Sequence, residues 1–360
     1  MRIGIDCRLA GIKHAGLGRY IQQLATSLVA SCPKNDWVLF FADSAQAKSF
    51  ASQKNVTIII TPVKHYTLKE QCLMSRAFLQ ANLDLLHVPH FNVPLFYPKP
   101  FVVTIHDLLW HEQKGTQVTT LKPWVYWPKY WFYKLVVNHA VTSARKIFVP
   151  SQTVAQTLIQ YYQQAAGKII VTYEGVELVK SKPINFSLPT KYLLYVGSLY
   201  PHKNVEFILP ALKKTKLKLV VVSSRSAFNQ KFQAVVKAQK LESEVKFLGQ
   251  VSDGTLHTLY QKAYALIQPS LSEGFGLTGI EAMKAKTAVL ASDIPVFHEI
   301  YRDGAIFFQP TKSESLLAAL KKLGQKRPEL IVKGQKVSNQ YHWQKTAEQT
   351  LAGYEQALAL

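Results

Sequence analysis

Acidic residues are scarce in this chain of 360 residues. Lys and Arg number 43 against 22 Asp and Glu, which gives a formal net charge of +21. Both halves share the excess: 19 basic and 9 acidic residues precede position 181, and 24 and 13 follow it. Because no terminal tail carries the charge, it does not indicate a specific nucleic-acid-binding protein. It favours anionic partners such as phosphorylated metabolites or an acidic membrane surface.

Cysteine is also rare. Cys7, Cys32 and Cys72 are an odd number and have no metal-ligand spacing, so we expect free thiols in a reducing compartment. The first residues contain no apolar signal-peptide core, and no apolar run is long enough to cross a bilayer. The sequence therefore predicts a cytoplasmic protein, and attachment to the inner face of the membrane stays open.

Several nucleotide and metal signatures are missing. There is no D-x-D pair that would hold a metal-bound nucleotide sugar, no P-loop and no cysteine–histidine metal set. The stretch Gly16-Leu-Gly-Arg19 resembles a dinucleotide fingerprint, but Ile21 stands where the third glycine would be. This disfavours a dehydrogenase, and we interpret the stretch as a flexible loop with its amides aimed at phosphate or sugar.

Short β-branched runs alternate with helical periodicity along most of the chain. The predicted strands are Arg2–Asp6, Trp37–Phe41, Val56–Thr61, Leu83–His90, Phe101–His106, Lys146–Pro150, Lys168–Thr172, Tyr192–Val196, Leu217–Ser223, Val245–Leu248, Ala263–Gln268, Ala288–Ala291 and Ala305–Phe308. Helices are predicted over Arg19–Ala30, Thr153–Tyr162, Leu277–Ala285 and Trp343–Leu358.

A polar, proline-containing stretch, Glu177–Thr190, divides these elements and predicts an interdomain linker. The fold class is α/β, with two Rossmann-like doubly wound parallel sheets. We expect an N-terminal domain over residues 1–178, completed by a helix over 343–360, and a C-terminal domain over 190–342. The two domains are expected to face each other across a cleft.

The most informative motif is Ser270–Gly276, a turn between a buried strand and a helix. Glycines at 274 and 276 let the backbone approach a ligand, and the first helical amides can hold a phosphate. Glu273 can reach a sugar hydroxyl, and Glu281, about one turn into the helix, can accept from a ribose hydroxyl. A plain strand–helix turn would explain the glycines or Glu273 separately, but not the set.

Pro269–Met283 resembles the E-x7-E signature of the retaining glycosyltransferases of family 4, which have the GT-B fold. The resemblance covers nearly the whole chain, and its other matching segments are Ala15–Tyr20, Val103–Leu108, Val149–Ser151, Tyr173–Val176, Tyr195–Asn204, Phe247–Gly249, Ala291–Pro295 and Trp343. It implies sugar transfer from a nucleotide-diphosphate donor with retention of configuration and without a bound metal or cofactor.

The resemblance also implies roles for individual residues. His106 would stabilise the reacting centre and Glu273 would position the donor sugar, so these two are the catalytic candidates. The donor-binding candidates are Gly16, Gly18, Ser198, Lys203, Gly249, Gly274, Phe275, Gly276, Leu277, Thr278 and Glu281. Arg19 and Asp107 are placed on the acceptor side. His106 and Asp107 end a strongly apolar strand; a satisfied core histidine is the alternative, but their place at a carboxyl strand end favours the cleft.

Lys203 would offset the charge that develops on the leaving diphosphate. This sequence departs from the family nearby, since Ser198 and His202 stand where many members carry Arg. Lys286 and Ala288 replace a common Gly and Pro, which alters the end of the E-x7-E helix. The diphosphate site is therefore expected to be less cationic than usual.

Pro123–Lys134 is rich in aromatic and basic residues. Core packing with a solvated face, a lipid headgroup contact and stacking on acceptor sugars all remain open for it.

We therefore expect a hexosyltransferase of polysaccharide biosynthesis that uses GDP-mannose and a glycan or polyprenyl-linked acceptor. The alternatives are an epimerase-like or phosphorylase-like enzyme and a non-catalytic nucleotide-sugar-binding protein at the membrane surface.

Overall fold

The computed structural model describes residues 1–11, 15–115, 119, 121–224 and 227–360. The contacts divide the chain into two compact units. Unit 1 comprises Met1–Glu112, Lys122–Gly175 and His342–Leu360, and unit 2 comprises Gln113–Leu121 and Val176–Tyr341.

Unit 1 is built on a parallel sheet that has seven strands in the described residues, in the order β3-β2-β1-β4-β5-β6-β7. These strands are β1 (Arg2–Asp6), β2 (Asp36–Phe41), β3 (Val56–Ile60), β4 (Leu85–Val88), β5 (Phe101–Thr104), β6 (Ile147–Val149) and β7 (Ile169–Val171). The order reverses between β1 and β4, and ligands bind at the carboxyl edge beside such a reversal.

Unit 2 repeats this topology with six strands in its described part, in the order β10-β9-β8-β11-β12-β13, again all parallel. Its strands are β8 (Tyr192–Val196), β9 (Lys218–Val222), β10 (Val245–Gly249), β11 (Ala265–Gln268), β12 (Val289–Ser292) and β13 (Ala305–Phe308). The reversal lies between β8 and β11. The predicted pair of doubly wound parallel sheets is confirmed.

Helices connect the strands. They are α1 (Ala15–Ser31), α2 (Ser44–Ala47), α3 (Leu68–Gln80), α4 (Leu109–Glu112), α5 (Pro123–Ser143), α6 (Gln152–Tyr161), α7 (Leu209–Lys214), α8 (Ala227–Ala238), α9 (Asp253–Lys262), α10 (Leu277–Lys284), α11 (Pro295–Tyr301), α12 (Ser313–Ser338) and α13 (Trp343–Leu358). Hydroxyl caps fix several starts: Ser151 accepts from the amide of Val154 at α6, and Ser252 from that of Thr255 at α9.

The predicted strands all occur, but several end earlier than expected. β4 stops at Val88 and β5 at Thr104, two residues before the predicted ends. The residues after these ends, including His90 and His106, belong to loops at the carboxyl edge of the sheet. Helix α1 begins at Ala15, four residues before the predicted start, so Gly16–Arg19 is the first turn of a helix. The interpretation of that stretch as a flexible loop was wrong.

Both faces of the unit 1 sheet are covered by buried apolar residues. The last helix, α13, packs against α1 within this unit and contributes Trp343 and Tyr354 to its core. The buried imidazole of His87 on β4 joins α13 to β5, since its Nδ1 lies 2.6 Å from the Tyr354 hydroxyl and its Nε2 lies 2.8 Å from Thr104 Oγ1.

Glu177–Thr190 contains no helix or strand, as a linker requires. It is nevertheless held to α9: the Lys182 amide donates to the Gly254 carbonyl, and the Thr258 hydroxyl donates to the Lys182 carbonyl. Among the described residues, no helix combines the length and apolar composition needed to cross a membrane.

Candidate active site

Two loops of unit 2 leave the sheet on either side of its reversal. After β8 the chain passes through Gly197 and Ser198 to a 3₁₀ turn at Pro201–Lys203. After β11 it passes through Ser270 and Glu273 to α10. Because β8 and β11 are neighbours and parallel, both loops lie at the same carboxyl edge.

Lys203 and Glu273 form an ion pair between these loops. The Lys203 ammonium donates to Glu273 Oε1 at 2.6 Å, and the Ser270 hydroxyl donates to the same oxygen at 2.8 Å. Both side chains are mostly buried, with 20% and 15% of their surfaces exposed. Within the described residues both contacts use Oε1, which leaves Oε2 able to accept from a ligand.

The protonation state of Glu273 follows from these contacts. Burial alone would raise its pKa, but the charge of Lys203 and the hydrogen bonds from Lys203 and Ser270 outweigh burial and hold the pKa below the ordinary 4.5. Glu273 is therefore a carboxylate at neutral pH. It can accept a hydrogen bond from a sugar hydroxyl and stabilise positive charge, and it cannot serve as a proton donor there.

A hydrogen-bonded network holds the glycine turn in front of α10. Gly276 has a φ of +88°, and its carbonyl accepts from the Tyr301 hydroxyl at 2.5 Å. A Cβ at Gly276 would lie 2.2 Å from that hydroxyl oxygen. Gln268, the last residue of β11, accepts from Tyr301 at 2.6 Å and donates to the Thr278 hydroxyl at 2.8 Å. The backbone at the start of α10 is thus fixed from both sides.

Glu281 has a different environment from Glu273. It is 4% exposed, and its Oε2 accepts from the Tyr260 hydroxyl at 2.9 Å. Phe275 is also buried, 3% exposed, with its ring edge against Tyr341. The side chain of Leu277 is buried too. Ligand contacts at Phe275 and Leu277 would therefore be made through the backbone.

A cavity of about 600 Å³ opens at the carboxyl ends of β9 and β10, beside β8. Gly249, with a φ of +70°, lies on its wall. The other lining residues are Val221, Ser223, Asn229, Gln230, Gln233, Phe247 and Leu248. The carboxamides from α8 give this cavity both hydrogen-bond donors and acceptors. Ser198 is partly exposed, and its carbonyl accepts from Tyr195 at 2.5 Å.

In unit 1, His106 follows β5 at the carboxyl edge. Its Nδ1 lies 3.5 Å from Glu174 Oε1, and its Nε2 lies 3.2 Å from the Pro89 carbonyl. The ring meets Tyr20 edge to face with centroids 4.5 Å apart. The imidazole is 17% exposed, so it is positioned by its neighbours and is still reachable.

The two acceptor-side candidates of unit 1, Asp107 and Arg19, lie in different surroundings. Asp107 is exposed and accepts from the Leu109 amide at 3.1 Å at the start of α4. Arg19 is partly exposed on the first turn of α1.

The two glycines of that turn differ in their surroundings. A Cβ at Gly18 would lie 2.0 Å from the Gly11 carbonyl oxygen, which is too close for any side chain. A Cβ at Gly16 would meet no atom of the described residues within 4 Å. Close packing therefore requires glycine at position 18 and not at position 16.

The sequence of this chain matches two family models and several known proteins. The family model described as "Glycosyltransferase Family 4" matches residues 14–180, and "Glycosyl transferases group 1" matches residues 179–337. The chain belongs to glycosyltransferase family 4. The "O-antigen chain mannosyltransferase RfbU" of Salmonella typhimurium is 31% identical over 249 residues, which are 68% of this chain and 66% of that protein.

Solved structures agree on the GT-B fold of this glycosyltransferase. The sucrose-phosphate synthase of Thermosynechococcus elongatus superposes with a TM-score of 0.80 at 19% identity, covering 100% of this chain and 99% of that one. The Anabaena protein HepE, solved in complex with UDP-glucose, gives 0.73 at 17% identity, covering 98% and 99%.

Sequence reasoning missed several residues of the glycosyltransferase site. Ser270 donates to Glu273, and Gln268 contacts Tyr301, the partner of Gly276. Gln268 ends the buried strand β11 and Ser270 follows it closely, which was a usable signal. Glu174 lies in Tyr173–Val176, a segment that was noticed only as a family match. The partner of the glycine turn, Tyr301, lies 25 residues from Gly276, and no local pattern indicates it.

A charged cluster near the carboxyl edge of unit 1 was also missed. Arg8 is 1% exposed and contacts two carboxylates, Asp6 at 2.6 Å and Glu70 at 2.8 Å. Burial works to raise the pKa of each carboxyl, but neighbouring groups hold both pKa values below the ordinary ones. At Asp6 these are Arg8 and then His65, and at Glu70 they are a hydrogen bond from His65 and then the charge of Arg8. In the described ranges, no three His, Cys, Asp or Glu side chains converge as a metal site would require.

Proposed function

We propose that this glycosyltransferase moves mannose from GDP-mannose to a hydroxyl of a glycan or polyprenyl-linked acceptor, with retention of configuration and without a metal ion. The observation that carries the proposal is the Lys203–Glu273 pair at the reversal of the unit 2 sheet, directly before the glycine turn and α10. The O-antigen mannosyltransferase relative favours mannose as the sugar and polysaccharide synthesis as the setting.

In this proposal unit 2 holds the donor. The amides at the start of α10 and the Lys203 ammonium bind the diphosphate and stabilise the charge that it gains as the bond to the sugar breaks. Glu273, ionised at neutral pH, accepts from a donor hydroxyl and stabilises positive charge on the sugar ring. Glu281 accepts from a ribose hydroxyl, and the cavity beside β9 and β10 receives the base.

The transfer itself proceeds on one face of the sugar. The bond between the anomeric carbon and the diphosphate oxygen breaks as the acceptor oxygen bonds to the same carbon from the same side. The acceptor proton passes to the departing phosphate, so every atom and charge is balanced without a further reactant. His106 in unit 1 is assigned to the reacting centre, and Arg19 and Asp107 to the acceptor side.

The proposal places the enzyme in the cytoplasm, at the inner face of the membrane, where a polyprenyl-linked acceptor would be met. An epimerase-like enzyme remains the second candidate, because the same donor site would serve it. The two differ in whether an acceptor alcohol is consumed.

A donor panel tests the proposal. Purified protein is heated with GDP-mannose, UDP-glucose and ADP-glucose, with and without EDTA, and slow donor hydrolysis is followed in parallel. We expect GDP-mannose to stabilise the fold, by about 2.7 kcal/mol at a hundredfold excess over Kd, and to lose its sugar equally well with EDTA. The anomeric configuration of the released sugar, read early by NMR, tests retention.

Each other outcome counts against part of the proposal. Stabilisation by UDP-glucose alone would replace the donor and keep the transferase. Donor conversion to an isomeric nucleotide sugar would identify an epimerase. A chain that responds to none of the donors would be non-catalytic, and the weaker cationic surroundings at Ser198 and His202 would account for it.

A further inference from the structure

Helix α5 presents an apolar stripe to solvent. Trp124, Trp127, Trp131 and Leu135 are 70%, 44%, 66% and 54% exposed. Their spacing of three, four and four residues places them on one face over three turns. We call this face the Trp stripe. Pro128, also exposed, lies among them, so no polar side chain interrupts the stripe.

The opposite face of α5 is apolar as well. Tyr126, Tyr130, Tyr133 and Val137 are buried in unit 1. A helix at the surface of a water-soluble protein normally turns a polar face outward, and one that is apolar all round is covered on both sides. The core of unit 1 covers one side of α5. Its outer side is covered by nothing in the described part of the chain.

The stretch of sequence that contains the stripe is basic. Residues 113–173 contain no Asp or Glu, and they include the basic residues Lys114, Lys122, Lys129, Lys134, Arg145, Lys146 and Lys168. Lys122 lies over the Trp124 ring at 5.1 Å, and Lys134 lies 5.5 Å from the Tyr162 ring. Ammonium groups beside Trp and Tyr rings match the headgroup region of an anionic bilayer, where both kinds of group are favoured.

The size and charge of the stripe argue against a second copy of this chain as its partner. Three Trp rings and one Leu at these exposures present roughly 500 Å² of apolar surface, against about 800 Å² per partner in a stable protein interface. A symmetric pair would also bring the lysines beside the two stripes, Lys122 and Lys134, close to one another, which is unfavourable. A bilayer needs neither a larger area nor complementary acidic residues from a protein.

The stripe begins at the edge of unit 1 that carries His106. Trp110, which follows β5 shortly after His106, packs on Tyr126 and Tyr133 of α5, with centroids 5.7 and 5.3 Å away. The N-terminal half of α5 therefore belongs to the carboxyl edge of the sheet. A bilayer contacting the stripe would lie next to the edge to which the acceptor is assigned.

We propose that the Trp stripe of α5, flanked by Lys122 and Lys134, binds an anionic lipid bilayer by inserting its indole rings among the headgroups. This surface would hold the enzyme where lipid-linked acceptors are presented. The proposed lipid binding rests on the proposed function only for the identity of the acceptor. Binding of the stripe to lipid is independent of which sugar is transferred.

Vesicle flotation tests the surface with full-length protein and no sugar donor. Vesicles of phosphatidylcholine, with and without about 30% phosphatidylglycerol, are compared at low salt and at about 0.5 M salt, where charges are screened within about 4 Å. We expect binding to the anionic vesicles, weaker binding at high salt, and quenching of Trp fluorescence by brominated lipids.

Two variants decide whether the stripe is responsible. W124S/W127S/W131S should lower partitioning onto anionic vesicles by about tenfold or more and abolish the bromolipid quenching. The matched control L68S/F96S removes two side chains of unit 1 that are 75% and 66% exposed but lie elsewhere in the chain, and it should bind as the wild type does. Both variants should keep the melting temperature and the donor hydrolysis of the wild type.

The proposal is overturned by equal binding of the triple variant and the wild type, or by an equal loss in the control. It is also overturned if sedimentation shows a lipid-free dimer that the triple variant abolishes, because the stripe would then bind a second copy. Donor hydrolysis in the triple variant is measured without vesicles, so a failure of the proposed function would show there and a failure of the lipid surface would not.

Discussion

At the scale of single residues, the contact between Lys203 and Glu273 changes the interpretation of both. Each was assigned to a different part of the donor, yet in the structure the ammonium and the carboxylate meet at 2.6 Å. A bound diphosphate would compete with Glu273 for the lysine, and a sugar hydroxyl could donate to the remaining carboxylate oxygen. At the proposed donor site, the ammonium and the carboxylate therefore balance each other's charge.

Glu273→Gln tests this role. The amide keeps the shape but loses the charge, so kcat should fall by about a hundredfold or more while the fold is kept. Steady-state kinetics with the donor identified by the panel provides the measurement. Glu244→Gln is the matched control, since it breaks another Glu–Lys pair of unit 2, with Lys218 at 3.5 Å. Turnover in Glu273→Gln close to that of the control would contradict the assignment.

The lowered pKa of Glu273 adds a pH prediction. A carboxyl whose pKa is depressed in the folded state is fully ionised above its ordinary value of 4.5 and is protonated only as the pH falls through the lower folded value. Because kcat/KM reports ionisations of the free enzyme, Glu273 should contribute no change in kcat/KM between pH 5 and 8. If the pH profile of the wild type falls below about pH 6 and that fall disappears in Glu273→Gln, this assignment is wrong.

Local patterns predicted which residues follow the strands but not what those residues contact. Glu273, Gly276 and His106 were identified because they follow buried strands at the carboxyl edge. Their partners come from other parts of each unit: Lys203 and Glu174 follow other strands, and Tyr301 ends α11. Pairing them requires the arrangement of these elements in space.

At the scale of elements, the two glycines of α1 have separate physical roles. Gly18→Ala should destabilise the protein by about 1–3 kcal/mol, because the new methyl group would meet the backbone oxygens of Gly11 and Leu9. Gly16→Ala would meet no described atom within 4 Å in the same helical turn and should be neutral or slightly stabilising. Urea unfolding of both variants measures the difference. Equal effects would mean that close packing at Gly18 does not fix the start of α1.

His87 gives the attachment of α13 a dependence on pH. Burial, with a smaller effect from His106, lowers the pKa of His87 to about 3. The unfolded chain binds this proton near the ordinary 6.5 and the folded chain does not, so stability is complete above pH 6.5 and falls as the pH drops toward 3. The slope is up to about 1.4 kcal/mol per pH unit.

Two variants separate the titration from the hydrogen bond. His87→Gln should lower the slope of the free energy of unfolding against pH between about pH 6.5 and 4. The decrease should correspond to at most one proton bound on unfolding. Tyr354→Phe removes the hydroxyl that meets His87 but leaves the imidazole, so it should lower stability by about 1–3 kcal/mol and keep the slope. An unchanged slope in His87→Gln would show that another group is responsible.

The alternation of strands and helices was predictable because parallel strands buried on both faces are short and apolar throughout. The ends of the strands were less predictable, since apolar residues continue past Val88 and Thr104 into the loops. The start of α1 was missed because two glycines in its first turn are poor helix formers. Contacts with Gly11 and Leu9 offset that intrinsic preference at Gly18.

At the scale of the whole molecule, the two units depend differently on the C-terminal helix. Unit 2 is completed by residues up to Tyr341, whereas unit 1 obtains Trp343, Ala347, Tyr354 and Ala357 from α13. A chain that ends at Tyr341 should retain a folded unit 2 that binds the nucleotide of the donor, while unit 1 loses most of its protection from hydrogen exchange.

Hydrogen exchange by mass spectrometry, with and without the nucleotide, measures this effect unit by unit. The matched control is a chain shortened only by Leu360, which is 76% exposed and lies beyond α13. That chain should behave as the full-length protein does. Unchanged protection of β1 and β4 in the shorter chain would show that α13 is dispensable for unit 1.

The late position of α13 in the chain also affects synthesis on the ribosome. A nascent polypeptide reaches the residues of unit 2 before it reaches Trp343, so the domain that begins the chain cannot finish folding first. The usual order of completion from the N-terminus is thereby reversed. During this interval the side of the first domain on which α13 will pack is exposed to chaperones and proteases. The yield of active enzyme should therefore be sensitive to a stop in translation before α13 has been made.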